Sequence, residues 1–132
     1  MRLGKAAAYA VFAAVHIAER GKDGPISGDQ IAAACNISFN HLMKLLQRMV
    51  RARILHSERG PHGGFRLLKP PSKVTVLDVI EAVDGPVDGD PTLGSEVRGK
   101  GRAKQIIRSQ CNDVAKYTRS VLSKSSLNDL ID

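Results

Sequence analysis

The sequence predicts a mainly α-helical chain with one small β-hairpin and a long C-terminal helix. Three observations carry that expectation. Leu42, Leu45, Leu46, Met49 and Val50 recur at i, i+3, i+4, i+7 and i+8, which is one apolar face of a helix. Two short segments, Ile54 to Arg59 and Phe65 to Leu68, flank Gly60-Pro61-His62-Gly63-Gly64 and read as strands about a turn. From Arg102 to Leu122 no Gly or Pro interrupts the chain. With 132 residues, one domain is expected, burying roughly two-thirds of its unfolded surface.

Each element follows from local chemistry. Leu3 to Arg20 is Ala-rich, carries Val11, Phe12, Val15 and Ile17, and is closed by Gly21 with Pro25 beyond, so it predicts a helix packed closely on several sides. Ser27 and Gln30 have capping-box spacing, predicting a short helix over Asp29 to Ala34 among small residues. Asn36 suits a left-handed turn, and Ser38 is the N-cap candidate of the next helix. That helix sets Asn40, His41, Lys44, Gln47, Arg48 and Arg51 opposite its apolar face. Two helices joined by a short turn, the second basic on its outer side, form a helix-turn-helix pattern, and a hairpin behind it is a wing. Pro70 and Pro71 end the hairpin; Thr75 and Asp78 cap a helix that runs to Asp84, with Gly85 at its end.

The resulting organisation is a winged helix-turn-helix unit over 1–85, a glycine-rich loop over 86–101, and a dimerisation helix with its tail over 102–132. Ile107, Cys111, Val114, Thr118 and Val121 alternate in steps of four and three, a seam for a second subunit or for the first helix.

Composition narrows the function. The formal net charge is +7, with 42% hydrophobic and 25% charged residues, as in a folded protein. Residues 1–73 hold 12 Lys+Arg against 4 Asp+Glu, a net +8, whereas residues 74–132 hold 8 against 9, a net −1. A polyanion partner is therefore expected for the first half only. No apolar run approaches the ~20 residues that span a bilayer. The Ala-rich start lacks a small-residue cleavage site and continues through His16, Glu19 and Arg20, so it reads as a helix rather than a leader. Cys35 and Cys111 are too few for a disulfide framework, and a reduced, cytoplasmic protein is expected. His16, His41, His56 and His62 show no metal-ligand spacing, and no Ser/His/Asp set, P-loop or dinucleotide motif is present. Neither a metal nor an enzymatic activity is expected.

The Met-Arg-Leu start, the helix-turn-helix over Gln30–Arg51 and the wing Arg59-Gly60-Pro61-His62-Gly63-Gly64-Phe65-Arg66-Leu67 together resemble the Rrf-two family of winged-helix transcription regulators, the NsrR, IscR and CymR type. Pro70-Pro71 and the stretch Thr75-Val76-Leu77-Asp78-Val79-Ile80-Glu81-Ala82-Val83-Asp84-Gly85 extend the likeness. The resemblance implies a homodimer whose C-terminal helices cross, set on a pseudo-palindromic promoter site in a bacterial cell and usually acting as a repressor. Several members hold an iron–sulfur cluster on three cysteines about six residues apart. If Cys111 matches the third, the others fall near Gln105 and Gly99, neither of them cysteine. Val114 stands where one branch places a histidine ligand. The cluster is not expected here.

Within this frame Ser38, Asn40, His41 and Lys44 form the turns expected to enter the major groove, Asn40 suited to adenine and Lys44 to guanine. Arg48 and Arg51, later on the helix, would meet phosphate or nothing. Arg59, Gly60, His62, Gly63 and Arg66 form a wing tip suited to a minor groove or to phosphates, and Arg2 and Lys5 add phosphate contacts in keeping with the resemblance. Cys111 is the candidate redox switch, against a simple core role, while Cys35 is expected in the core. The signal is open between a thiol reaction, a small molecule, a partner protein and none at all. Two other readings of the same residues remain: an architectural DNA binder, and a winged-helix protein-interaction module.

Overall fold

The computed structural model describes residues 2–89 and 98–132; Met1 and residues 90–97, within the expected 86–101 loop, lie outside the described residues. The elements run α1 (Lys5–Arg20), α2 (Gly28–Cys35), α3 (Phe39–Arg51), β1 (Leu55–Glu58), β2 (Gly64–Leu67), α4 (Val76–Asp84) and α5 (Gly101–Leu122). Short 3-10 turns follow α1, precede α4 and close the chain.

Helix α1 is the central post. Ala7, Ala10, Ala13, Ala14 and Ile17 are fully buried, and α2, α3 and α4 all pack on it. Alanines let neighbouring backbones approach, and the interior fills with Ile31, Leu42, Leu45, Leu46, Met49 and Val79 from those helices. The first turn begins two residues later than predicted, because Gly4 is extended and offers no side-chain cap.

Both capping boxes form as the sequence predicts. Gln30 N–H donates to Ser27 Oγ at 3.2 Å, and Asp78 N–H donates to Thr75 Oγ1 at 3.0 Å. Asn36 takes the left-handed conformation, φ 53°, that ends α2. At Gly28 a β-carbon would stand 2.8 Å from Met43 Sδ, so the start of α2 crosses α3 closely.

The hairpin pairs antiparallel with Leu55 opposite Leu67 and Ser57 opposite Phe65. It is fastened by one more residue: Ile26 N–H donates to Phe65 O at 3.0 Å, and Phe65 N–H donates to Ile26 O at 2.8 Å. Gly64 permits this approach, since a β-carbon there would run into the Ile26 backbone.

The C-terminal residues return to the body. Leu127 is fully buried; its N–H donates to Val74 O at 2.8 Å, while Val76 N–H donates to Ser125 O at 2.9 Å. On α5 the predicted seam divides in two. Thr118 is buried with Ala115, and Cys111 and Leu122 are half-buried, so these four turn inward at i, i+4, i+7 and i+11. Ile107, Val114 and Val121, seven residues apart, stay exposed together with Ile106 and Tyr117. The five seam residues span about 80° of the helix circumference, and the edge of the body's cover falls between them.

Candidate nucleic-acid interface

Three strips of sequence make up the surface: the first turns of α3, the wing tip and the start of α1. Helix α3 turns Leu42, Leu45, Leu46 and Met49 into the core, which forces Asn40, Lys44, Gln47, Arg48 and Arg51 outward. Ser38 occupies the N-cap position, yet its side chain makes no capping hydrogen bond, so its hydroxyl is not committed to the helix. A groove lined by Met43, Gln47, Val50 and Arg51 of α3 and by Ser57 and Phe65 of the hairpin sets the wing beside the recognition helix.

At the wing tip Gly63 N–H donates to Gly60 O at 3.0 Å, closing the turn over Pro61 and His62. Gly60 has φ 110°, a conformation glycine adopts at little cost. A β-carbon on Gly63 would meet the Glu58 carbonyl. The tip adjoins the start of α2, since Pro61, His62 and Gly63 share a cleft with Asp23, Pro25, Ser27 and Gln30.

The charged residues divide by their partners. Among the described residues Lys44 and Arg59 are exposed and have no ion-pair partner. Arg66 is drawn back along the wing, its Nε 3.0 Å from Glu58 Oε1, with His56 also 4.0 Å from that oxygen. Arg48 departs from the sequence expectation of phosphate or nothing. Its guanidinium donates to Val83 O at 2.8 Å, where the end of α4 presents unpaired carbonyls. A basic side chain on the outer flank is thus turned to holding the fold.

Arg2 and Lys5 lie exposed at the start of α1. Lys5 is joined to the recognition helix through an aromatic residue that sequence reasoning passed over. The Lys5 Nζ stands 5.6 Å from the Tyr9 ring centroid, and that ring meets the His41 imidazole edge-on, at 5.6 Å and 62°. The i, i+4 spacing of Lys5 and Tyr9 could have signalled the first contact; nothing local signals the second.

The two thiols lie on different elements. Cys35 ends α2, where burial pushes its thiol pKa up and the Glu19 carboxylate adds to the rise. Cys111 lies half-buried on the inward side of α5, one residue before Asn112, whose backbone Gly89 approaches so closely that a β-carbon would clash. No group of three His, Cys, Asp or Glu among the described residues is arranged to hold a metal ion. Nor is any described helix long and apolar enough to cross a membrane.

A recognition helix with an outward polar face, flanked by a glycine-tipped wing, defines a winged helix-turn-helix DNA-binding protein. Residues 3–132 match the Rrf2 family, described as iron-dependent transcriptional regulators, and the chain belongs to that family. BadM of Rhodopseudomonas palustris, named as an HTH-type transcriptional regulator, is 33% identical over 132 residues, covering all of this chain and 84% of that protein. The regulator IscR of Photorhabdus laumondii is 32% identical over 132 residues, all of this chain and 80% of its own length. Among solved structures, CymR of B. subtilis, titled the global cysteine regulator, superposes with a TM-score of 0.75 at 25% identity, over 98% of this chain and 95% of that one. IscR of T. potens gives 0.74 at 25% identity, over 98% and 85%. The chain is a DNA-binding transcription regulator and not an enzyme.

Proposed function

We propose that the protein is a homodimeric, cytoplasmic repressor that sets two winged helices on a pseudo-palindromic promoter site. The observation that carries this reading is the outward stripe of α5. Val114 is 61% and Tyr117 73% exposed, and Ile107, Val114 and Val121 repeat every seven residues over about 21 Å of helix. A seven-residue apolar repeat suits a long helix crossing its copy. Two such chains would present two recognition helices, and half-sites would lie one or two helical turns apart. Repression then follows from occupying DNA that the polymerase needs.

The assigned roles are specific. Ser38, Asn40, His41 and Lys44 face the major groove; Arg59, with Gly60, His62 and Gly63, enters the minor groove or follows phosphates; Arg2 and Lys5 meet phosphates. Arg66 takes a lesser part, since Glu58 already neutralises it.

A cysteine-ligated cluster does not fit the donor set. The chain has two cysteines, and they stand on α2 and α5; if Cys111 matches the third ligand of the resemblance, the others fall near Gln105 and Gly99, neither a thiol. The signal is instead a small molecule, a partner protein or a reaction at Cys111. Because Cys111 faces inward, its oxidation would act by disturbing how α5 and the segment ending at Gly89 sit together, not by bridging two seams.

Two measurements test the reading. Sedimentation velocity should show a dimer that Val114→Glu converts to monomer; a dimer that persists in the variant removes the α5 interface. Anisotropy titration should favour a duplex enriched from a randomised library over a shuffled one by a thousandfold or more at physiological salt. Lys44→Ala and Arg59→Ala should each weaken that binding while leaving the dimer intact. Equal binding to both duplexes would point to an architectural role, and binding to neither to a protein-interaction module.

A further inference from the structure

We propose that Tyr9 is a positioning residue for DNA recognition, holding the His41 imidazole in one orientation on the leading turn of α3. This rests on the reading of α3 as the recognition helix. Tyr9 belongs to α1, a helix with no place in the groove, yet its ring spans the gap between two residues assigned to DNA. The Lys5 ammonium stands 5.6 Å from the ring centroid, within cation–π range. The His41 ring meets it edge-on at 5.6 Å and 62°. Edge-to-face geometry places the positive rim of one ring against the electron-rich face of the other, which favours one arrangement over free rotation.

The consequence concerns recognition. His41 is the third residue of α3, on the turn that approaches base edges, and it is half-buried where Asn40 and Lys44 are exposed. An imidazole free to rotate loses that freedom on binding DNA. One already held against Tyr9 has lost it in the free protein, and the cost of ordering at the interface falls accordingly. Lys5 is exposed and lies near the limit of cation–π range, so the ring's hold falls on His41.

The test is a double-mutant cycle with Tyr9→Leu and His41→Ala, read by anisotropy on the enriched and the shuffled duplex at one salt concentration. Tyr9→Leu should cost about threefold to tenfold on the enriched duplex, the cost of ordering one side chain at an interface, and leave the shuffled duplex unchanged. In the His41→Ala background the same substitution should cost nothing further. Tyr9→Phe keeps the ring and should bind as the parent does. Losses that multiply across the cycle, or that fall equally on both duplexes, overturn the proposal. Should Tyr9→Leu unfold, the parent protein decides the matter: a nuclear Overhauser contact between the two rings in DNA-free protein is expected, and its absence refutes the positioning role. A parent that does not distinguish the duplexes refutes the recognition-helix reading itself, an outcome told apart from the cycle because no variant is involved.

Discussion

Arg48 offers the sharpest check on how the fold uses its basic residues. Arg48→Met keeps most of the aliphatic stem and removes the donor to Val83 O, a bond of 2.8 Å that is partly buried. Hydrogen bonds from charged groups contribute about 1.5–3 kcal/mol, and this one, on an exposed residue, should contribute about 1–2 kcal/mol. Some of that comes from the cation facing the negative end of α4. An unfolding entropy of about 2.1 cal/mol/K per residue gives roughly 0.28 kcal/mol/K for a chain of this length, so Tm should fall by about 4–7 °C. Calorimetry at fixed protein concentration measures this, because a dimer makes Tm concentration-dependent. The same variant should keep the parent's slope of log affinity against log salt. An unchanged Tm together with a slope shallower by about one would show that Arg48 contacts phosphate, and the tethering argument would be wrong.

Other consequences follow from single residues. Gly63→Ala drives a β-carbon into the Glu58 carbonyl, so the tip must shift, at a cost of about 1–3 kcal/mol by urea titration, and DNA affinity should fall with helix content unchanged. Leu127→Ala empties a fully buried site and should destabilise by about 2–5 kcal/mol, a loss that the urea midpoint reports. Cys35 has a raised thiol pKa in the folded chain, so above the ordinary value of about 8.5 the unfolded chain gives up a proton that the folded chain retains. Stability is therefore complete below that pH and declines as pH rises through the folded pKa. Cys35→Ala should flatten the alkaline decline, and an identical decline in the variant would exclude Cys35 as its source.

Much of this architecture was legible because it is written in local spacing. Ser27 with Gln30 and Thr75 with Asp78 are three-residue patterns whose hydrogen bonds depend on their own turn alone. The apolar face of α3 is likewise a property of one helix, and its burial fixes which polar residues point outward. What escaped the sequence depends on distant partners. Arg48 meets a carbonyl 35 residues away, and whether it faces α4 or solvent cannot be read from its neighbours. Tyr9 meets His41 across two helices. Leu127 enters the core because the chain doubles back beside Val74, although its local sequence is polar. The α5 seam is one stripe in the sequence, and only the edge of the body decides that Thr118 is covered while Val114, about 40° around the helix, is exposed.

These long-range contacts converge on one short helix. The end of α4 receives Arg48 of α3 through Val83 O, while Glu81, two residues earlier, pairs with Arg119 of α5. The same Glu81 carboxylate accepts the N–H of Val87 at 2.8 Å, so the segment leading away from α4 is fastened at the same point. Helix α4 therefore links α3 to the element that carries the outward apolar stripe. Because both contacts are made to one short helix, any shift of α4 relative to the body is felt at Arg48 and at Arg119 together.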